Sequence, residues 1–273
     1  MGYTEDYYRA ANGKVHFYRR WAPKKAGLGL TLVCLHGIGT GSWRFLEMGE
    51  YMADRGIKVF APDLRGYGNN EGRKAYIESF DEYVDDWDAF RQKVLLKDGV
   101  AGNFLLGDSL GGLIAIYIAL HRPEGLRKMI LTSPALRQKV KISRITMLAA
   151  RIARIVAPGA HFAAPIYPQD IVSDKAYAGK MRLCTMETRF VTPALYFAMN
   201  RAIRKVWEKA GELQVPALIL QAGKDTIVSP EAPAEFAALA PGFEVHSLPD
   251  ALHAFINDTG KEAIYDFIIN EMS

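Results

Sequence analysis

Ser109, Asp225 and His253 have the residue types and the settings that nucleophilic catalysis needs. Ser109 lies in Gly107-Asp108-Ser109-Leu110-Gly111, a G-x-S-x-G. One apolar stretch ends at Leu106 and another starts at Leu110, so the motif falls at a strand–turn–helix junction that would lift the hydroxyl above the strand ends. Glycines on both sides permit a turn too tight for a Cβ. The helix that follows would aim its N-terminal dipole at negative charge developing near the serine. The plainer reading is a serine capping a helix in a glycine-rich turn; glycine at both flanks and again at Gly112 favours the tight elbow.

A serine hydroxyl is a weak nucleophile at neutral pH and needs a base that is itself held in place. Of six histidines, His16 and His246 fall in strand-like stretches, His36 at a strand end, His121 at a helix end and His161 in an irregular segment. His253 instead follows the last strand-like stretch, in the loop Pro249-Asp250-Ala251-Leu252-His253. That is the C-terminal edge of the sheet, where ligands of open α/β sheets bind; the alternative is a surface loop histidine. Asp225 follows the apolar stretch ending at Ala222-Gly223 and would accept the proton on the distal ring nitrogen. Asp250 competes, but from three positions away in the same loop it is poorly placed to brace that imidazole. The tetrahedral intermediate needs two amide donors. Leu110, directly after the serine, supplies one, and Ile38 in His36-Gly37-Ile38-Gly39 supplies the other. The same glycines could simply turn the chain.

These residues need a scaffold, and the hydrophobic pattern describes one. Two strand-like stretches flank Asn12-Gly13, a hairpin dipeptide, the second running from Val15 to Trp21. Leu30 to Leu35 is a continuous apolar run, as in strands covered on both faces. Helix-like and strand-like stretches then alternate: helix 45–55, strand 57–61, helix 79–96, strand 103–106, helix 110–120, strand 129–132. Ser79 with Glu82 reads as a capping box for the third of these. Strands at 215–221 and 243–248 and helices at 231–239 and 261–272 close the chain. This alternation predicts an α/β fold with a mostly parallel sheet. From Pro134 to Glu212 no clear strand is visible, only helix-like pieces separated by Pro158, Pro165, Pro168 and Pro193.

Composition narrows the function classes. Hydrophobic residues make up 49% and charged residues 23% of 273, a globular balance. The net charge of +4 is spread along the chain, which argues against a nucleic-acid partner. Two cysteines, an N-terminus without a basic start and apolar stretch, and no apolar run of about 20 residues lead to a cytoplasmic expectation. The absence of zinc-site, dinucleotide-binding and phosphate-loop patterns leads to the expectation of no metal and no cofactor.

Taken together, the motifs resemble monoacylglycerol lipases and the bacterial lysophospholipase-like carboxylesterases related to them. The resemblance covers nearly the whole chain. It rests on His36-Gly37-Ile38-Gly39, Asp63-Leu64-Arg65-Gly66-Tyr67-Gly68 with Glu71-Gly72, Gly107 to Gly112, Ser133-Pro134, Asp225 and His253. It implies an α/β-hydrolase fold with core segments 1–133 and 213–273 and a mobile helical cap at 134–212. It also implies ester hydrolysis through an acyl-enzyme, with the oxyanion amides at Ile38 and Leu110, and a mainly structural loop at Asp63–Gly72. Two positions depart from the family pattern: Asp108 stands where histidine is common, and Asn70 where serine is common.

The 134–212 segment carries apolar residues such as Met147, Phe162, Tyr196 and Met199, suiting a lipid-like small-molecule ester. Its few acids, Asp170, Asp174, Glu187 and Glu208, weigh against the related amide-cleaving aminopeptidases, which need to hold a substrate amine. A non-catalytic ligand-binding version of the fold would usually lack a triad member. Lys139, Lys141, Arg144, Arg151 and Arg154 invite peripheral membrane contact, although on a helical wheel they overlap Leu148, Ile152 and Ile155 rather than opposing them.

Overall fold

The computed structural model describes residues 2–11, 13–24 and 27–273; Asn12, half of the expected hairpin turn, lies outside the described residues. Strands β1 (Tyr3–Arg9) and β2 (Val15–Trp21) pair antiparallel. β3 (Thr31–Leu35) is buried along its whole length. The helix expected over 45–55 is a 3-10 turn, Ser42–Phe45, running into α1 (Leu46–Asp54), followed by β4 (Lys58–Pro62). Then come α2 (Asp81–Phe90), continued by a π-helical turn at Arg91–Leu95, β5 (Asn103–Asp108), α3 (Leu110–His121) and β6 (Leu126–Thr132).

Only half of the expected capping box forms at α2. Glu82 Oε1 accepts from the Ser79 amide at 3.0 Å, but Ser79 Oγ takes the Asp81 amide at 3.2 Å. The Glu82 N–H goes to the Ser79 carbonyl instead, so the helix starts two residues later than predicted.

Between β6 and β9 (Ala217–Ala222) lies a long excursion: α4 (Arg144–Val156), β7 (Phe162–Ala163), α5 (Pro168–Ile171), α6 (Lys175–Leu183), β8 (Phe190–Val191) and α7 (Pro193–Glu208). The strandless expectation for this stretch needs correcting, because β7 and β8 pair antiparallel, Phe162 opposite Val191. Two residues per strand are too few to show any periodicity in sequence. The chain ends with α8 (Ala232–Ala237), β10 (Phe243–Leu248) and α9 (Lys261–Met272).

The main sheet runs β1-β2-β4-β3-β5-β6-β9-β10, and its last six strands are parallel. Alternate side chains of β3 serve two cores: Val33 and Leu35 face the α2/α3 layer, Leu32 and Cys34 the α1/α9 layer. Burial on both sides is why the strand reads as an unbroken apolar run. α3 is apolar all round and buried from Leu110 to Ala119, wedged between the sheet, α2 and α7.

After β3 the chain moves outward to β4, whereas β5 lies on the other flank of β3. The strand order therefore reverses between β3 and β5, and the loops at their C-terminal ends diverge to open a crevice. Those loops carry Ile38 and Ser109. Among the described residues no helix is long and apolar enough to cross a membrane.

Candidate active site

Ser109 sits on a strained backbone, φ 52° and ψ −109°. Such a conformation costs about 1–3 kcal/mol for a residue with a side chain. The burial of Leu113, Ile114 and Ile116 directly behind it, at about 1.5–3 kcal/mol each, outweighs that cost. The elbow is also tied to the neighbouring strand: the Ser109 N–H donates to the Thr132 carbonyl at 2.9 Å, and Ala135 N–H donates back to the Ser109 carbonyl at 3.0 Å. Gly111 is required for close approach, since a Cβ there would lie 2.1 Å from the Leu35 carbonyl oxygen at the end of β3.

The structure brings the three predicted side chains together. His253 Nε2 lies 3.0 Å from Ser109 Oγ and Nδ1 lies 2.7 Å from Asp225 Oδ2. The other Asp225 oxygen accepts the Ile227 and Val228 amides at 2.8 and 3.0 Å. All three residues are buried. Two loops must almost touch to achieve this, and Gly223 allows it: a Cβ there would meet the Pro249 carbonyl oxygen at 2.5 Å. The Gly223 N–H donates to the Leu248 carbonyl and Lys224 N–H to the Ala251 carbonyl, binding the Asp225 loop to the His253 loop. Asp250 points away and pairs with Lys224 at 2.8 Å with its side chain exposed.

Electrostatics favour an ion-pair-ready dyad. Burial works to raise the Asp225 carboxyl, but the His253 hydrogen bond and charge and the two amides hold it below the usual carboxylate range. Burial likewise disfavours the His253 imidazolium, yet the hydrogen bond and charge of Asp225, with Asp108 behind it, raise it above the ordinary histidine value. Asp108 accepts from Thr132 Oγ1 at 2.8 Å. Burial pushes its carboxyl up, against the opposing pull of His253, Thr132 and Arg44.

Ile38 and Leu110 line the same cavity as Ser109. Leu110 opens α3, where an N–H has no intrahelical acceptor. Among the described residues the Ile38 amide makes no internal hydrogen bond. His36 is structural: Nε2 accepts the Leu64 amide at 2.9 Å and Nδ1 faces the Gly37 carbonyl at 2.8 Å, clamping the Ile38 loop to the chain after β4. Asp63 in that chain takes the Ser42 and Asn69 amides at 2.6 and 2.8 Å, and Arg65 forks onto Asp86 with both contacts at 2.7 Å. Asn70 accepts the Phe17 amide at 2.7 Å and donates to the Asp63 carbonyl at 2.6 Å. An amide fits that place because it must both accept and donate.

The cavity above Ser109 has a volume of about 290 Å³ and walls including Met147, Phe162, Ile166, Tyr196 and Met199. Among the described residues, no group of His, Cys, Asp or Glu side chains is arranged to hold a metal ion.

Sequence reasoning missed two residues close to this site. Thr132 pairs with Asp108 across β5 and β6, and Lys139 Nζ donates to the Asp225 carbonyl at 2.8 Å. Neither is near its partner in sequence, so no local signal marks it.

The family model described as Hydrolase_4, serine aminopeptidase, S33, matches residues 29–260. The chain belongs to this family. Its fold is that of the α/β-hydrolases: a soluble variant of monoglyceride lipase from Saccharomyces cerevisiae, in complex with a substrate analog, superposes with a TM-score of 0.86 at 19% identity, covering 96% of this chain and 92% of that one. Human monoglyceride lipase is 28% identical over 224 residues, 80% of this chain and 72% of that protein. Phospholipase YtpA of Bacillus subtilis is 28% identical over 199 residues, 72% and 76% respectively. An uncharacterized abhydrolase domain-containing protein of Dictyostelium discoideum is 24% identical over 258 residues, and the chain spans 27% of its length.

Proposed function

We propose that this protein hydrolyses carboxylic esters of monoacylglycerol or lysophospholipid type through an acyl-enzyme. The observation that carries the reading is the hydrogen-bonded series Ser109–His253–Asp225, 3.0 and 2.7 Å, opening on an apolar cavity. His253 takes the proton of Ser109 as Oγ attacks the ester carbonyl. The Ile38 and Leu110 amides receive the oxyanion. The imidazolium, balanced by Asp225, then protonates the departing alcohol. Water enters, loses a proton to His253, and releases the acid from Ser109.

The family description mentions an aminopeptidase. Recognition of a free substrate amine calls for an acid without a cationic partner; among the described residues the lining of this cavity holds no acid, and Glu187 in the adjoining cavity is paired with Arg44 at 2.8 Å, which supports esters over peptides. Residues 134–212 act as a cap in this reading, supplying most of the apolar wall.

We also propose that α4 rests on a lipid surface. Ile145 and Ile155 are each 83% exposed, and Leu148, Ile152 and Val156 are exposed with them. Thr146, Met147 and Ala150, on the opposite side of the helix, line the cavity. Arg144 and Arg151 stand beside the outward apolar stripe, on the side where the helical wheel has them overlap it, and there they would meet head groups while the stripe enters the acyl boundary. The two cysteines are free, which suits the cytoplasmic setting that we propose.

The decisive test is hydrolysis of p-nitrophenyl esters from acetate to palmitate by wild type and Ser109→Ala. Ser109-dependent activity with an optimum at medium or long chains supports the reading. Activity confined to acetate refutes the lipid-like substrate, and activity that survives Ser109→Ala refutes the mechanism.

A further inference from the structure

A second cavity opens beside the apolar one. The two share Ile38, Ala163, Ala164 and Ile166, so an ester whose carbonyl sits at Ser109 and Ile38 can extend one arm into each. Their walls differ in charge. Lys141 is the one charged side chain among the described residues of the first cavity. The second, about 500 Å³, has Arg44, Arg182 and Arg189 facing a single acid, Glu187. Three cations against one anion leave a formal charge of +2 on the wall of this second cavity.

Each of these guanidinium groups has a hydrogen-bond partner, Arg44 in a buried position and Arg182 and Arg189 in exposed ones. Arg44 is buried, with Nη2 on Glu187 at 2.8 Å and Nη1 on the Tyr177 hydroxyl at 3.3 Å. Arg182 Nη2 donates to Gln169 Oε1 at 2.9 Å. Arg189 Nη2 donates to the Met181 carbonyl at 3.1 Å and to the Arg182 carbonyl. Among the described residues, Arg189 Nε and Nη1 have no protein partner. The segment carrying Glu187 and Arg189 is also tied to the loop that carries Ile38, because the Thr188 N–H donates to the Gly39 carbonyl at 2.8 Å. The cationic wall thus keeps a fixed position relative to the reacting carbonyl.

We propose that this cavity receives the alcohol part of the substrate and selects one bearing a phosphate, so that acylglycerophosphates are cleaved in preference to neutral monoacylglycerols. Glu187 compensates Arg44, leaving Arg182 and Arg189 as the unbalanced cations. The Nε–H and Nη1–H of Arg189, and the charge of both guanidinium groups, can be met by phosphate oxygens, whereas a glycerol hydroxyl leaves the excess positive charge standing. The inference rests on the ester-hydrolase reading above. The products would be a fatty acid and a glycerophosphate, with one water consumed.

The experiment compares kcat/KM for octanoylglycerol and octanoylglycerol 3-phosphate, both kept below their micelle-forming concentrations so that surface charge plays no part. Wild type should favour the phosphate ester, and Arg189→Glu should lower the phosphate-to-neutral ratio by about 10- to 100-fold. Arg182→Glu, at the exposed rim, supplies the same readout if the first variant does not fold. Because the ratio is taken within one variant, damage to the triad or to folding cancels from it. A ratio that neither substitution changes, with the neutral ester still cleaved, overturns the head-group assignment and leaves the esterase reading intact. No Ser109-dependent hydrolysis of either ester overturns both. Inorganic phosphate that competes as strongly as the phosphate ester would mean a free-anion site and would also overturn the proposal.

Discussion

Asp225→Asn is an informative substitution here because the backbone dictates how the new amide must point. Asp225 Oδ1 is pinned by the Ile227 and Val228 amides, so an asparagine keeps its carbonyl oxygen there and turns its NH₂ toward His253. An NH₂ cannot accept from Nδ1–H. The imidazole is driven into the tautomer protonated at Nε2, the nitrogen 3.0 Å from Ser109 Oγ, and the base is lost. In serine proteases the corresponding change lowers kcat about 10⁴-fold, roughly 5.5 kcal/mol of barrier. A loss of that order is expected with a p-nitrophenyl ester, with Asp250→Asn close to wild type because Asp250 only pairs with exposed Lys224. The residual activity should carry a second signature. His253 must be neutral to act, and Asp225 holds it above its ordinary value, so wild-type kcat/KM falls as pH drops through that raised value. Removing the carboxylate moves the acid limb to lower pH. Near-wild-type turnover by Asp225→Asn, or an equal loss in Asp250→Asn, would refute the assignment.

Asp108→Asn removes a second negative charge that raises His253, so its acid limb should also move to lower pH, by less than for Asp225→Asn; a limb moving upward contradicts the electrostatics. Gly111→Ala places a Cβ 2.1 Å from the Leu35 carbonyl oxygen, forcing β3 and α3 apart at a cost of at least about 1–3 kcal/mol. The urea midpoint should fall and the rate with it, whereas Gly179→Ala, with open space around its Cβ in the interior of α6, should be neutral or stabilising by up to about 1 kcal/mol. Ile145→Ser combined with Ile155→Ser should weaken sedimentation with anionic vesicles while sparing turnover of a soluble ester; unchanged vesicle binding would remove α4 from the lipid contact.

Much of the fold was legible because its signals are local. The buried parallel strand Thr31–Leu35 lies in an apolar run, Ala217–Leu220 is apolar up to Gln221, and α9 falls within the helix expected at 261–272. Boundaries slipped where side chains chose between competing partners, as at Ser79, whose hydroxyl took the Asp81 amide rather than that of Glu82. The paired β7 and β8 were invisible because two residues carry no period.

The sequence by itself determined the setting of Ser109. Glycines around Ser109, an apolar strand before it and an apolar helix after it leave the chain one compact way to turn. It also ordered the serine, aspartate and histidine along the chain, each after its own strand. The sequence favoured Asp225 over Asp250, but the contact with His253 itself depends on the tertiary structure, where Gly223 lets two loops touch. Likewise, only the packed molecule turned the apolar stripe of α4 outward and set three arginines along one wall of a second cavity. Turns and strands are governed by neighbours in the chain, whereas charge balance and exposure depend on residues brought together from more than a hundred positions apart.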